Sequence, residues 1–364
     1  CLGSLLRYDK EQYSWKTGSS QMLSGKNFRI ASVLFHVGII AILSGHFAGL
    51  VLPLELWHAL GIDMATKQII AMGVGGCFGI LCFIGLSMLV YRRLFDPRIK
   101  ANSSLKTNGT ASCPVVFQGD RLDEAYEEVA GQWIGIQFYP RSKENRLTYT
   151  IIKNGYIGVE VDSLSQQGNV AKLVMDNCQI TTMNSACVAA YQGSVIASNC
   201  SFTNSCQFLF FANYGGVYDL TYCTFGNFQK SCVRTDPSVY FANTDFENGN
   251  GDKIKNDLSF SLVNNIIYGS QQDELLFDQS GSGEYNALID HNLIRSTDLE
   301  ALNVNDNILN KDPRFVNTQN LDYRLDSLSP AQGKAIPLQD IKRDYFGKLR
   351  DASFPDLGAF EREE

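Results

Sequence analysis

Two histidines, His36 and His46, stand ten residues apart inside the apolar run IASVLFHVGIIAILSGHFAGLVLP. If that run is one helix, the imidazoles lie roughly 15 Å apart along its axis and about 80° apart around it. Ionisable side chains at hydrocarbon depth are costly and usually mark function, and neutral imidazole is an axial ligand of b-type haem. The separation suits two stacked haems better than one, with helix–helix hydrogen bonding as the plainer alternative. Gly38, Gly45 and Gly49 would let a flat macrocycle or another helix approach the backbone.

The elements that must position these residues are two membrane spans, about 30–53 and 69–91, each free of Asp, Glu, Lys and Arg and long enough for about 30 Å of hydrocarbon. Charge divides the chain at the same place. Residues 1–102 carry ten Lys/Arg against five Asp/Glu, a net of +5, and residues 103–364 carry 21 against 33, a net of −12. Arg7, Lys10, Lys16, Lys26 and Arg29 precede the first span and Arg92, Arg93, Arg98 and Lys100 follow the second, which predicts a cytoplasmic location for both flanks. The opening CLGSLLRYD has no basic region ahead of its apolar residues and is read as the start of a truncated piece rather than as a signal peptide. Ten Cys are spread over the chain without CxxC spacing and say little about redox compartment.

The phrases LRYDKEQYSWKTGSSQML, NFRIASVLFHVGIIAILSGHFAGL and RRLFDPRIKA resemble the gamma subunit of respiratory nitrate reductase, a membrane cytochrome b that oxidises quinol. The resemblance covers residues 1–102. It implies haem b, with His36 and His46 each supplying one axial ligand to the iron, and a quinol pocket containing Lys67; without it, Lys67 reads equally as an interfacial anchor. It also implies partner nitrate reductase subunits and an inner-membrane location. The later helices that supply the second ligand of each haem in that family are not matched here, and His58 and His291 stand outside the spans, so the segment is expected to be redox-inactive alone.

The second part repeats. Aligning YTII, NCQI, NCSF, YCTF, NTDF, NNII and HNLI places Thr150, Cys178, Cys200, Cys223, Thr244, Asn265 and Asn292 in one column. Ile152, Ile180, Phe202, Phe225, Phe246, Ile267 and Ile294 follow two residues later, as expected of strands with one inward face. Asn154, Asn204, Asn227 and Asn248 follow four after the column, suggesting stacked turns and an amide ladder. Seven coils of a β-solenoid follow, with insertions near 163–169 and 271–285 projecting as loops. The three stacked cysteines read as small buried hydrophobes rather than metal ligands.

The stretches SSLKTNGTASCPVVFQGDRLDEAYEEVAGQWIGIQFYP and TIIKNGYIGVEVDS, with the ending SLSPAQGKA…DYFG…R…PDLGAFE, resemble exported right-handed β-helix lipoproteins of the pectin-lyase-like superfamily. That resemblance covers about 103–364 and implies polysaccharide as partner, with β-elimination by a Lys or Arg base, sometimes with Ca²⁺, as the enzymatic alternative. Lys153, Lys230 and Arg234 fall at or after successive turns and are the candidate bases, though such residues more often protect strand edges. The run NGNGDKIKND at 248–257 has the oxygens but not the spacing of a Ca²⁺ loop, and reads as a turn or short insertion. Tyr139, Tyr156, Trp133, Phe208, Phe210 and Phe211 are candidates for a sugar-stacking platform, against the plainer reading of inward packing.

The expected architecture is therefore mixed: a two-helix transmembrane fragment (1–102), then an all-β right-handed parallel β-helix with a C-terminal tail (103–364). No nucleic-acid partner is expected. The exported character of the second resemblance conflicts with the cytoplasmic side assigned to the junction, and the chain reads as a chimera of the two. Its leading functional reading is a truncated quinol-oxidising segment joined to a carbohydrate-associated or structural β-helix. The alternatives are a polysaccharide lyase and an electron-transfer component completed by a partner chain.

Overall fold

The computed structural model describes residues 26–51, 57, 59, 61–95, 104–140, 142–162, 171–229, 231–247, 253–298, 302 and 305–362. The chain forms two compact units, Cys1–Ser103 and Ser104–Glu364.

The first unit contains two helices, α1 (Lys26–Val51) and α2 (Met64–Phe95). Phe28–Val51 and Met64–Tyr91 are long and apolar enough to cross a membrane, with mean hydropathies of 1.9 and 2.3. Large apolar side chains such as Ile40, Leu43, Phe47 and Phe83 face outward, as a lipid-facing surface requires. The second helix starts at Met64 rather than at 69 because Asp63 caps it, its Oδ1 accepting from the Thr66 backbone N–H at 3.3 Å. Lys67 thereby falls within the helix's first turn.

The helices meet through glycine. A Cβ on Gly38 would sit 2.6 Å from the Cys82 nitrogen, and one on Gly85 would sit 2.4 Å from the Phe35 nitrogen. Small residues permit this approach where no hydrophobic force separates helix contact from lipid contact. In detergent, Gly85→Leu is expected to part the helices and accelerate alkylation of Cys82 relative to the exposed Cys77; equal rates in variant and wild type would place the contact elsewhere.

The second unit is a parallel β-helix with three faces, right-handed as crossovers between parallel strands are. The first face is an eight-stranded sheet: Val115–Phe117, Thr150–Lys153, Gln179–Met183, Ser201–Ser205, Thr224–Asn227, Ile266–Gly269, Leu293–Ile294 and Ile308–Leu309. Its register pairs Ile152 with Ile180, Ile180 with Phe202, Phe202 with Phe225, Phe225 with Ile267 and Ile267 with Ile294. All six are fully buried.

The second face runs through Ile136–Phe138, Ile157–Asp162, 186–191, 208–213, Val239–Ala242 and Leu275–Asp278. The third runs through Asn145–Thr148, Leu173–Asp176, 193–198, 216–221, Leu258–Val263 and Tyr285–Asp290. Two long strands, Ala186–Ser198 and Phe208–Thr221, serve both faces. The second of these turns the corner at Gly215 and Gly216, at φ +70° and +124°, where a Cβ on Gly216 would strike the Gly193 carbonyl. Inside, Phe210, Phe241, Phe260 and Phe277 pack in succession, Phe241 and Phe260 with ring centroids 4.3 Å apart.

Four sequence expectations need correction. The coil assigned to Thr244 and Phe246 is absent from the first face: Thr224–Asn227 pairs directly with Ile266–Gly269. Phe246–Glu247 instead forms a small exposed antiparallel hairpin with Lys253–Ile254. A loop after Asn227 and this hairpin together lengthen one coil until it mimics two. The predicted loop at 271–285 contains a second-face strand, Leu275–Asp278, whose Leu275 is in the core.

The amide ladder also lies elsewhere. Asn154, Asn204 and Asn227 bond to other groups, and Asn248 lies outside the described residues. The ladder runs in the alignment column itself, where Asn265 Nδ2 donates to Asn292 Oδ1 at 3.0 Å and Asn292 Nδ2 to Asn307 Oδ1 at 3.1 Å. Cys178, Cys200 and Cys223 precede them in that column, fully buried, their thiols donating to main-chain carbonyls at 3.2–3.5 Å. Finally, the cysteines do carry redox information, because Cys206 and Cys232 form a disulfide.

The residues just before the column, Tyr149, Asn177, Asn199, Tyr222, Asn264 and His291, all have φ between 43° and 60°. Asparagine tolerates this left-handed corner well. Four of these residues fasten the C-terminal tail. Asn177 donates to the Asp344 carbonyl, Asn199 to that of Arg343, and Tyr222 and Asn264 to that of Ile336. Arg350 lies 3.9 Å from the centroid of the Tyr222 ring and donates to Asn199 Oδ1 at 2.8 Å. The Ala359 N–H reaches Thr224 Oγ1, and Tyr323 packs over Gly226, so the tail covers part of the outer surface of the first face.

Candidate functional sites in the two units

In α1 each histidine donates Nδ1–H to the carbonyl four residues earlier, His36 to Ser32 at 2.7 Å and His46 to Ile42 at 2.9 Å. A carbonyl can only accept, so Nδ1 is protonated in both rings, and Nε2 is the nitrogen that carries the lone pair of the neutral imidazole. A second hydrogen bond of this kind orients histidines that ligate metals. Both rings are exposed on the helix surface, accessible to a group approaching from outside.

His46 and Lys67 share a cavity of about 440 Å³ between the helices, lined also by Gly45, Gly49, Trp57 and Phe78. Lys67 Nζ stands 4.9 Å from the Trp57 ring centroid. Trp57 turns its indole N–H into buried space with no hydrogen-bond partner among the described residues. His36 is not part of this cavity's lining. Trp57 was not singled out from the sequence, since an aromatic near a span end reads first as an interfacial residue.

The candidate bases of the β-helix come out differently. Arg234 is buried, its side chain 2% exposed, and forks onto Glu274 with Nη1–Oε2 at 2.7 Å and Nη2–Oε1 at 2.6 Å. It also donates to the Asp236 carbonyl and to Ser238 and Ser270. Glu274 accepts in addition from the backbone of Ser238 and Gln271 and from the Ser238 hydroxyl. This pair closes the loop after Asn227 and presents no side to a substrate, so Arg234 is corrected from candidate base to structural ion pair. Lys153 is half-buried on the first face, and Lys230 lies outside the described residues.

Lys172 is a lysine outside the sequence candidates. It is fully buried, and burial pushes its ammonium down to about 8; it donates to the Asp162 carbonyl. It was missed because a lone lysine ahead of a strand carries no motif.

The aromatic candidates separate by facing. Phe210 is core, and Trp133 packs on the core while donating Nε1–H to the Lys153 carbonyl. Tyr139 and Tyr156 are exposed. Phe208 and Phe211 belong to an outward cluster on the second face with Tyr191, Tyr214 and Tyr240. Phe211 and Tyr240 are stacked at 5.4 Å, Tyr191 meets Phe211 edge-on at 5.9 Å, and Phe208 lies 4.8 Å from Phe211. Tyr214 extends the cluster to Phe246 at 5.6 Å. Tyr191 and Tyr240 would have been found by aligning the second-face strands as well as the first.

Residues 1–112 match the family model described as nitrate reductase gamma subunit. The match runs past Ser104 into the start of the second unit. The chain is 47% identical over 103 residues to the respiratory nitrate reductase 1 gamma chain of Escherichia coli (strain K12), which is 28% of this chain and 45% of that one. It is 38% identical over 102 residues to the nitrate reductase gamma chain of Bacillus subtilis (strain 168), 28% of this chain and 46% of that one. Among solved structures, pectate lyase Pel9A aligns at a TM-score of 0.35 and 13% identity, covering 71% of this chain and 83% of that one. The chain spans less than half the length of the curated relatives it matches, and its N-terminal part is similar to nitrate reductase gamma chains while a parallel β-helix follows.

Proposed function

We propose that this chain joins a haem-ligating, membrane-spanning helix pair to a β-helix that holds polysaccharide without cleaving it. The outward aromatic cluster of the second face carries the β-helix half of this reading. It offers rings, amides and carboxylates, the groups that hold sugars. The tail occupies part of the outside of the first face, and Arg234 is committed to Glu274.

In the helix pair, His36 and His46 would each give Nε2 to one haem iron, and haem b would supply one-electron chemistry when bound. The tautomer fixed by the Ser32 and Ile42 carbonyls fits that role. Lys67 and Trp57 are donors on the wall of the cavity that His46 shares, a setting suited to a quinol's oxygens. A second axial ligand for each iron would come from another chain, as would the remaining nitrate reductase subunits. The Cys206–Cys232 disulfide favours an oxidising compartment for the β-helix over the cytoplasmic side suggested by the basic flanks.

The test pairs binding with turnover. The full chain in a detergent without a sugar headgroup is expected to co-sediment with insoluble polysaccharide while releasing no unsaturated uronate absorbance from acidic glycans. Accumulating unsaturated product would replace this reading with a lyase, and failure to sediment across a broad panel would leave the β-helix a structural unit.

A further inference from the structure

The second face differs from the rest of the unit in its charges. Its six strands contain Glu160, Asp162 and Asp278 and no Lys or Arg. Glu160 and Asp162 alternate outward on one strand, and the register sets Glu160 beside Ala189 and Asp162 beside Tyr191. On the next strands Ala189 pairs with Phe211, and Phe211 with Tyr240. One outward row therefore runs from Glu160 over the small Ala189 to Phe211, Tyr240 and Leu276. Amides border it: Gln137 donates to Glu160 Oε1 at 3.1 Å, and Gln192 bonds to Asn256. At the far end Tyr240 donates its hydroxyl to Asp278 Oδ2 at 3.1 Å. Leu276 and Phe246 remain 47% and 45% exposed, so the apolar surface continues beyond the rings.

We infer that this face binds an uncharged glycan chain, its rings covering apolar sugar surfaces while Glu160, Asp162 and Asp278 accept from sugar hydroxyls. The inference rests on the proposed polysaccharide-holding role and adds the class of polysaccharide. Carboxylates are strong acceptors for hydroxyl donors, and among the described residues the six strands of this face supply no cation to neutralise a uronate. The existing groups already press on one another. Burial and then Asp162 push the Glu160 carboxyl up, and burial followed by Glu160 and Asp162 pushes the Tyr191 hydroxyl up. A further carboxylate placed there meets the same repulsion in a partly desolvated setting. Lys172 is buried with its ammonium on the Asp162 carbonyl.

The experiment is calorimetric titration of the full chain, in a polyoxyethylene detergent, with hexasaccharides of glucose, N-acetylglucosamine, mannose and galacturonate, each with a chelator and again with Ca²⁺. Binding of a neutral hexasaccharide and none of galacturonate is expected. Phe211→Ala and Tyr240→Ala should each weaken neutral binding about tenfold, and Tyr240→Phe, which keeps the ring, should weaken it less. Glu160→Gln with Asp162→Asn should weaken the neutral chain and admit galacturonate. Thermal melts of each variant separate lost binding from lost folding. Galacturonate binding as tight as the neutral chains, with or without Ca²⁺, and sensitive to Phe211→Ala, would overturn the charge inference while leaving the glycan reading standing. Absence of binding by all four would overturn both. If Phe211→Ala then also shifts the sedimentation coefficient, the face is a contact between copies of this chain.

Discussion

Replacing Glu274 with alanine is expected to lower the unfolding midpoint of the β-helix by about 10 °C. The carboxylate and the Arg234 guanidinium are 0% and 2% exposed and bond through two parallel contacts. Removing one member of such a pair leaves an unpaired buried charge and costs about 3–5 kcal/mol. The variant also strips an acceptor from the backbone N–H groups of Ser238 and Gln271. Replacing both members, Arg234→Met with Glu274→Leu, should recover most of the loss, because no charge is then stranded. Lys153→Ala, on a half-buried side chain, should move the midpoint little. Circular dichroism melts of the full chain in detergent measure all three. A midpoint for Glu274→Ala equal to that of Lys153→Ala would show that solvent reaches the pair and would reopen Arg234 as a candidate base.

Haem retention is expected to follow the two histidines. The wild-type chain, loaded with haem b in detergent and passed through gel filtration, should keep its Soret absorbance. His36→Ala and His46→Ala should each keep about half of that absorbance, and the double variant none, if each imidazole holds one group. Serine at Ser32 matters less, since the acceptor is its carbonyl rather than its hydroxyl, at 2.7 Å against 3.3 Å. Lys67→Ala should leave retention unchanged, because that ammonium is placed against Trp57 rather than as a ligand. Equal absorbance in the double variant and the wild type would remove the histidines from the proposal and leave the helix pair as a membrane anchor. Absorbance is chosen because it reads ligation directly and needs no turnover from a chain that spans less than half of its relatives' length.

The period of the β-helix was legible wherever a coil kept its ordinary length. Ile152, Ile180, Phe202, Phe225, Ile267 and Ile294 lie in register in a single column, because alternation forces every second residue of such a strand inward. The reading failed where the coil between Cys223 and Asn265 took up a loop and a hairpin: Thr244 and Phe246 matched the local pattern by composition, and nothing local separates an exposed hairpin from a rung. Leu275–Asp278 was hidden for the opposite reason, since a four-residue strand between polar stretches is too short to show a period. The helix pair was easier. Its length and lack of charge determine that it can span hydrocarbon, and Gly38 already offered a close helix approach, but the contact at Gly85 became visible only once two faces met.

By itself the sequence determined the two membrane-length helices, the histidine spacing on the first, the opposite charges of the two parts and the solenoid period. These are properties of neighbours along a strand or helix, set by side-chain alternation and hydropathy over a few residues. Tertiary structure decided the rest. It buried Arg234 against Glu274 across 40 residues of sequence. It joined Cys206 to Cys232 and fastened the tail to left-handed corners more than 70 residues away. It also brought Glu160, Tyr191, Phe211 and Tyr240 onto one outward face. Those groupings depend on which strands become lateral neighbours, and that is set by how loops of unequal length close each coil, a quantity no local pattern records.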